Sequence, residues 1–116
     1  MFAQGSQLAQ VRGSASASTA YTATLRTEVT RIVVCNVTTS DATFDIYHDD
    51  DGSTYTVATA LYYERTVSAK TSFVISSEAI GSGISIEQGG RLGVKTSTDL
   101  AVTFSIYGVT EDRAPR

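Results

Sequence analysis

The chain has 116 residues, 41% apolar and 18% charged, with a formal charge of −3. That length bounds it to one domain with one core, and the composition excludes a disordered or fibrous chain. A single cysteine excludes an intramolecular disulfide framework, no apolar run approaches the ~20 residues of a membrane helix, and no basic face of the nucleic-acid-binding kind is visible.

Residues 1–19 come first and differ from the rest. Gln4, Gly5, Ser6, Gln7, Gln10, Gly13, Ser14, Ser16 and Ser18 make them small and polar, with Phe2, Leu8 and Val11 as the larger apolar residues. Such a stretch builds no core alone. It reads either as a disordered tail or as an arm that orders against a partner subunit. Met1-Phe2-Ala3-Gln4-Gly5 lacks the basic start and apolar run of a signal peptide.

From Tyr21 onward, short segments alternate apolar and polar residues and are rich in Val, Ile, Thr, Tyr and Phe. Side chains repeat every two residues in a strand, so these segments predict half-buried β-strands. They fall at Tyr21–Leu25, Thr30–Val37, Thr43–His48, Ala60–Val67, Thr71–Ile75, Ile84–Glu87, Arg91–Lys95 and Leu100–Val109. Asp49-Asp50-Asp51-Gly52-Ser53 is a turn, Ser76–Ile80 has room for one short turn, and Gly81-Ser82-Gly83 breaks the chain. Gly89-Gly90 predicts a tight hairpin, because glycine accepts the positive φ such turns demand. The expected fold is all-β: a single eight-stranded antiparallel β-sandwich, jelly-roll-like, with an extended N-terminal arm. The domain spans residues 20–110, after the arm 1–19 and before a C-terminal tail 111–116. Cys35, inside an apolar strand, reads as a small core residue.

Charge is uneven along the chain. Residues 41–64 carry Asp41, Asp45, Asp49, Asp50, Asp51 and Glu64 with no base. Within that stretch, a calcium loop of the form D-x-[DN]-x-[DN]-G, counted back from Gly52, would place Tyr47, Asp49 and Asp51 at its ligand positions. Tyrosine fails the first position, and no glutamate follows at the right spacing. Asp49 and Asp51 stay as candidate metal ligands beside the plainer reading of a solvated acidic turn. Asp50-Asp51-Gly52-Ser53-Thr54-Tyr55 is also similar to the Asp-box turn, a structural hairpin tip, with tyrosine in place of tryptophan.

Catalytic patterns are missing from the sequence. His48, the one histidine, is followed by acids rather than oriented by one at a distance. There is no P-loop, no G-x-G-x-x-G and no C-x-x-C, and Glu64, Glu78 and Glu87 are scattered. The expectation is a chain that is not an enzyme and takes no cofactor. Asn36-Val37-Thr38 fits a glycosylation sequon, which is empty without a secretory signal. Tyr62 and Tyr63 must point to opposite faces of their strand. One belongs to the core, and the other joins Tyr47 or Tyr55 as a possible contact surface.

Val33-Val34-Cys35-Asn36, Ala42-Thr43-Phe44, His48 to Tyr55, Leu61-Tyr62-Tyr63 and Phe104-Ser105-Ile106-Tyr107-Gly108-Val109 occur in that order. They resemble a family of small tailed-bacteriophage virion proteins sharing a V-V-C-N … T-F … L-Y-Y … F-x-x-x-G skeleton. The resemblance covers about residues 20–110. Thr27-Glu28 stands where family members often carry a proline, and residues 1–19 match no family pattern. The resemblance implies a non-enzymatic virion component, assembled in the host cytoplasm, whose place on the particle varies across the family; the expectation taken is a capsid decoration or cement subunit. Its partners would be the major capsid protein or other virion proteins and further copies of itself, with a trimer expected. No nucleic-acid or membrane partner is implied. Phe2, Leu8, Arg12, Arg26 and Tyr55 are the expected partner contacts. The alternatives are a neck, tail, fibre or spike-base component, or a receptor- or carbohydrate-binding β-sandwich.

Overall fold

The computed structural model describes residues 6–76 and 83–111. Among them nine strands form: β1 (Ser6–Arg12), β2 (Ser18–Thr22), β3 (Thr27–Asn36), β4 (Ala42–Asp49), β5 (Ala60–Val67), β6 (Ser72–Ser76), β7 (Ile84–Ile86), β8 (Arg91–Thr96) and β9 (Val102–Thr110). Among the described residues the one helical element is a 3-10 turn, Val57–Thr59, capped by the Thr56 hydroxyl, which accepts from the Ala58 N–H. The protein is therefore all-β. Its strands make two antiparallel sheets, one ordered β1-β9-β3-β6 with β7 also on β3, the other ordered β2-β8-β4-β5.

The pairing is nested. β4 pairs with β5, β3 with β6 and β7, β2 with β8, and β1 with β9. The chain thus folds back on itself about the β4–β5 connection, and successive pairs go alternately to one sheet and the other. β6 lies along Arg31–Cys35 of β3 and β7 along Thr27–Val29, two pieces of a single edge.

Period-2 alternation explains the core. Ile32 and Val34 of β3, Phe44 and Ile46 of β4, Leu92 and Val94 of β8, and Phe104 and Ile106 of β9 all point inward and are buried. Both sheets contribute to this one cluster. Phe44 ties them together. Its ring centroid lies 6.0 Å from Phe104 in an edge-on contact and 5.9 Å from Phe73, both on the opposite sheet. Tyr62, its neighbour on β5, completes the group at 6.2 Å.

Three sequence expectations change. Residues 6–12 are not an arm: they form β1, paired with β9 from Ser6↔Gly108 to Arg12↔Thr103. Leu8, Ala9 and Val11 pack against the core. An edge strand with a polar outer face looks like a polar tail in sequence, because only part of its side chains is covered. Cys35 is half-buried rather than a core residue, since Val34 and Asn36 hold the inward positions on either side of it. The Gly89-Gly90 turn is present, with Gly89 at φ +89°, but it does not close a hairpin. β7 belongs to the first sheet and β8 to the second, so the turn carries the chain between sheets. Phe2, most of Ser76–Ile80 and nearly all of the 111–116 tail lie outside the described residues.

Asn36, the sequon residue, is fully buried and fully bonded. Its Nδ2 donates to the carbonyls of Ser40 (2.8 Å) and Val67 (3.0 Å), and its Oδ1 accepts from the N–H and hydroxyl of Thr38. A buried amide costs stability unless every bond is made.

Phe44→Ala should lower the unfolding free energy by about 3–5 kcal/mol, whereas Val57→Ala, at a site 70% exposed, should change it by less than about 0.5 kcal/mol. Removing residues 1–12 should cost roughly 3 kcal/mol or more through the apolar area of β1. Chemical denaturation measures all three.

Candidate functional site

The outer face of the second sheet gathers tyrosines and carboxylates. Asp45 and Tyr47 sit two apart on β4, so they share a face. Both are buried. The Tyr47 hydroxyl donates to Asp45 Oδ2 at 2.6 Å, and the Glu64 N–H donates to Oδ1 at 2.7 Å. Glu64 holds a left-handed backbone, φ 52°, where the β4–β5 ladder slips register. Residues other than glycine seldom adopt that conformation. Here the Asp45 carboxylate anchors it. Burial, then the hydrogen bond to Asp45, pushes the Tyr47 phenol far above its ordinary value. Tyr63 on β5 stands beside this pair and is half exposed, while Tyr62 turns to the core against Phe44 and Phe73. A cavity of about 100 Å³ lies between Asp45, Glu64 and Lys95.

The loop after β4 closes over the same face. Asp49 Oδ1 accepts from the Asp51 N–H at 3.1 Å and Oδ2 from the Thr54 N–H at 2.8 Å. Arg91 donates to the Gly52 carbonyl at 3.0 Å. Asp50 Oδ1 lies 2.6 Å from His48 Nε2 and accepts from the Glu87 N–H at 3.3 Å. This is a self-braced hairpin tip. The N–H donors from Thr54 and Asp51 hold the Asp49 carboxyl below the usual carboxylate range. The hydrogen bond and the charge of Asp49 hold the Asp51 carboxyl above it.

The residues expected from sequence therefore scatter. Both carboxylate oxygens of Asp49 are spent on loop N–H groups, and among the described residues no group of three His, Cys, Asp or Glu side chains is placed to hold a metal ion. The Tyr55 ring stacks on Tyr47 at 5.9 Å and lies flat over Gly93 of β8, where an added Cβ would meet it at 2.6 Å. Its hydroxyl is 2.6 Å from Thr19 Oγ1 of β2. Tyr55 thus fastens the loop to the sheet. Leu8 packs on the core from β1, and Arg12 donates to the Leu100 carbonyl. Arg26 is 3.7 Å from Glu87, both exposed, and lines an open cavity of about 460 Å³ with Glu28, Ser85 and Thr110.

The Asp45–Tyr47–Glu64 cluster was the feature missed in sequence. The D-x-Y spacing in a strand was the available signal. Of the tyrosines named beforehand, the structure assembles Tyr47, Tyr55 and Tyr63 on one face. On that face Asp45 and Tyr47 are buried, and Tyr63 is half exposed.

No protein-family model matches this chain, and no curated protein or solved structure matches it.

The two aspartates have opposite linkage to pH. A carboxyl lowered by folding stabilises the fold above its unfolded value of about 3.9 and loses that contribution as pH falls. A carboxyl raised by folding does the reverse. Asp51→Asn should therefore raise the melting temperature near neutral pH, with the gain vanishing below about pH 4. Asp49→Asn should lower it by several degrees at neutral pH, because an amide nitrogen would then face an N–H donor. Thermal melts from pH 3 to 8 check both.

Proposed function

We propose that this chain is a non-enzymatic bacteriophage virion structural protein, a capsid decoration or cement subunit seated on the major capsid protein. The nested strand pairing carries the reading. One long folded hairpin, its pairs dealt alternately to two antiparallel sheets, supports a jelly-roll reading in which β6 and β7 act as one interrupted edge strand. That architecture recurs in viral capsid and lectin domains. By fold analogy the winding suits a virion protein, and the segments that resemble the phage family lie in β3, β4, the loop after it, β5 and β9.

The contact surface in this reading is the outer face of the second sheet. Tyr63 and Leu61 are its exposed apolar groups, and tyrosine is enriched in protein interfaces. Leu8 and Arg12, now part of β1, serve the fold and its edge rather than a free arm. Homo-oligomerisation, with a trimer expected, belongs to the proposal. Closed symmetry lets one patch serve every copy, and many weak contacts on one particle add up to avidity.

Quantitative mass spectrometry of purified virions should find copies on the order of hundreds per particle, as repeated capsid positions require. A dozen or so would move the protein to the neck or tail, and absence from the particle would overturn the virion reading.

A further inference from the structure

Two sheets leave four edges, and three of them are blunted. The β1 pairing slips register between Gln7 and Ala9, β2 between Thr19 and Tyr21, and β5 twice along β4. Bulges at edges discourage the addition of further strands. β6 differs. Its ladder with β3 runs without a break from Arg31↔Ser76 to Cys35↔Ser72. Its sequence, Ser72-Phe73-Val74-Ile75-Ser76, contains no charge and no proline. Val74 at its centre is 51% exposed.

Strand alternation tells which main-chain groups are free. The Thr71 carbonyl accepts from the Asn36 N–H at 2.9 Å, so Thr71, Phe73 and Ile75 direct their polar groups to β3. Ser72, Val74 and Ser76 direct theirs away. Among the described residues nothing pairs with them on that side.

The strand is also complementary to itself. Run antiparallel against a copy about Val74, it sets Ser72 against Ser76, Phe73 against Ile75 and Val74 against Val74. Serines and valine then share the outer face, and Phe73 with Ile75 the core side. The three outward residues form three hydrogen-bonded pairs with their counterparts, and no like charges meet.

We infer that β6 is a self-association edge, at which two copies join their first sheets into one continuous sheet across a two-fold axis. The contact is isologous, so each residue meets its symmetry counterpart or the reciprocal partner. It uses main-chain bonds for affinity, as strand addition does elsewhere. Because it joins copies in pairs, any three-fold assembly would be linked by it to a second one. It depends on the edge alone and not on the virion reading.

Sedimentation of the full chain should show an even-numbered oligomer, and Val74→Lys should halve its mass while leaving the far-ultraviolet circular dichroism unchanged. A second variant guards against misfolding of the first. Val74→Cys in a Cys35→Ser background, where position 74 holds the one thiol, should cross-link into a covalent dimer on mild oxidation. Val37→Cys in the same background, also an exposed valine, should not. A monomeric wild type, a mass unaffected by Val74→Lys, or equal cross-linking from positions 74 and 37 would overturn the inference, whatever the copy number on any particle.

Discussion

The contact between Phe44 and Phe104 is where the two sheets become one protein. Each sheet alone has one apolar face and no means of covering it. Phe44 on β4 reaches Phe104 on β9 and Phe73 on β6, and around that triad the remaining inward side chains close a single cluster. The nested pairing follows from the same need. Strands far apart in sequence, such as β1 and β9, meet because their apolar faces must line one layer. Much of this order is non-local, which costs loop-closure entropy that the shared core must offset.

Polar groups drawn inside by that burial are met locally. Asn36 ties the β3–β4 connection, Asp45 holds the left-handed Glu64, and Asp49 gathers the loop after β4. Among the described residues no buried side-chain nitrogen or oxygen lacks a partner. These short-range knots brace the connections between strands. They also explain why the acidic run from Asp49 to Asp51 is a structural tip. Asp49 accepts from the Asp51 and Thr54 N–H groups, and Asp50 faces His48 and the Glu87 N–H.

Much of the strand pattern was legible beforehand. Thr30–Val37, Thr43–His48 and Ala60–Val67 correspond closely to β3, β4 and β5, because β-branched and aromatic residues at alternate positions leave few other options. The split of Tyr62 inward and Tyr63 outward follows from the same alternation. Residues 6–12 were not legible as a strand. Leu8, Ala9 and Val11 sit among glutamines and serines, and what makes them a strand is the waiting edge of β9. Tyr55 was legible as a loop residue but not as one that packs on the sheet, because the surface its ring covers, Gly93 on β8, lies about forty positions downstream.

By itself, then, the sequence determined that this is a β protein, where most strands lie and which of their faces is apolar. Those are properties of neighbouring residues, and alternation writes them directly into the chain. Only the tertiary structure decided which strands pair, which edges are broken by bulges and which one, β6, runs without a bulge among the described residues. Main-chain hydrogen bonds are the same for every residue type. The choice of partner is therefore made by how the faces pack together and leaves little trace in any single segment.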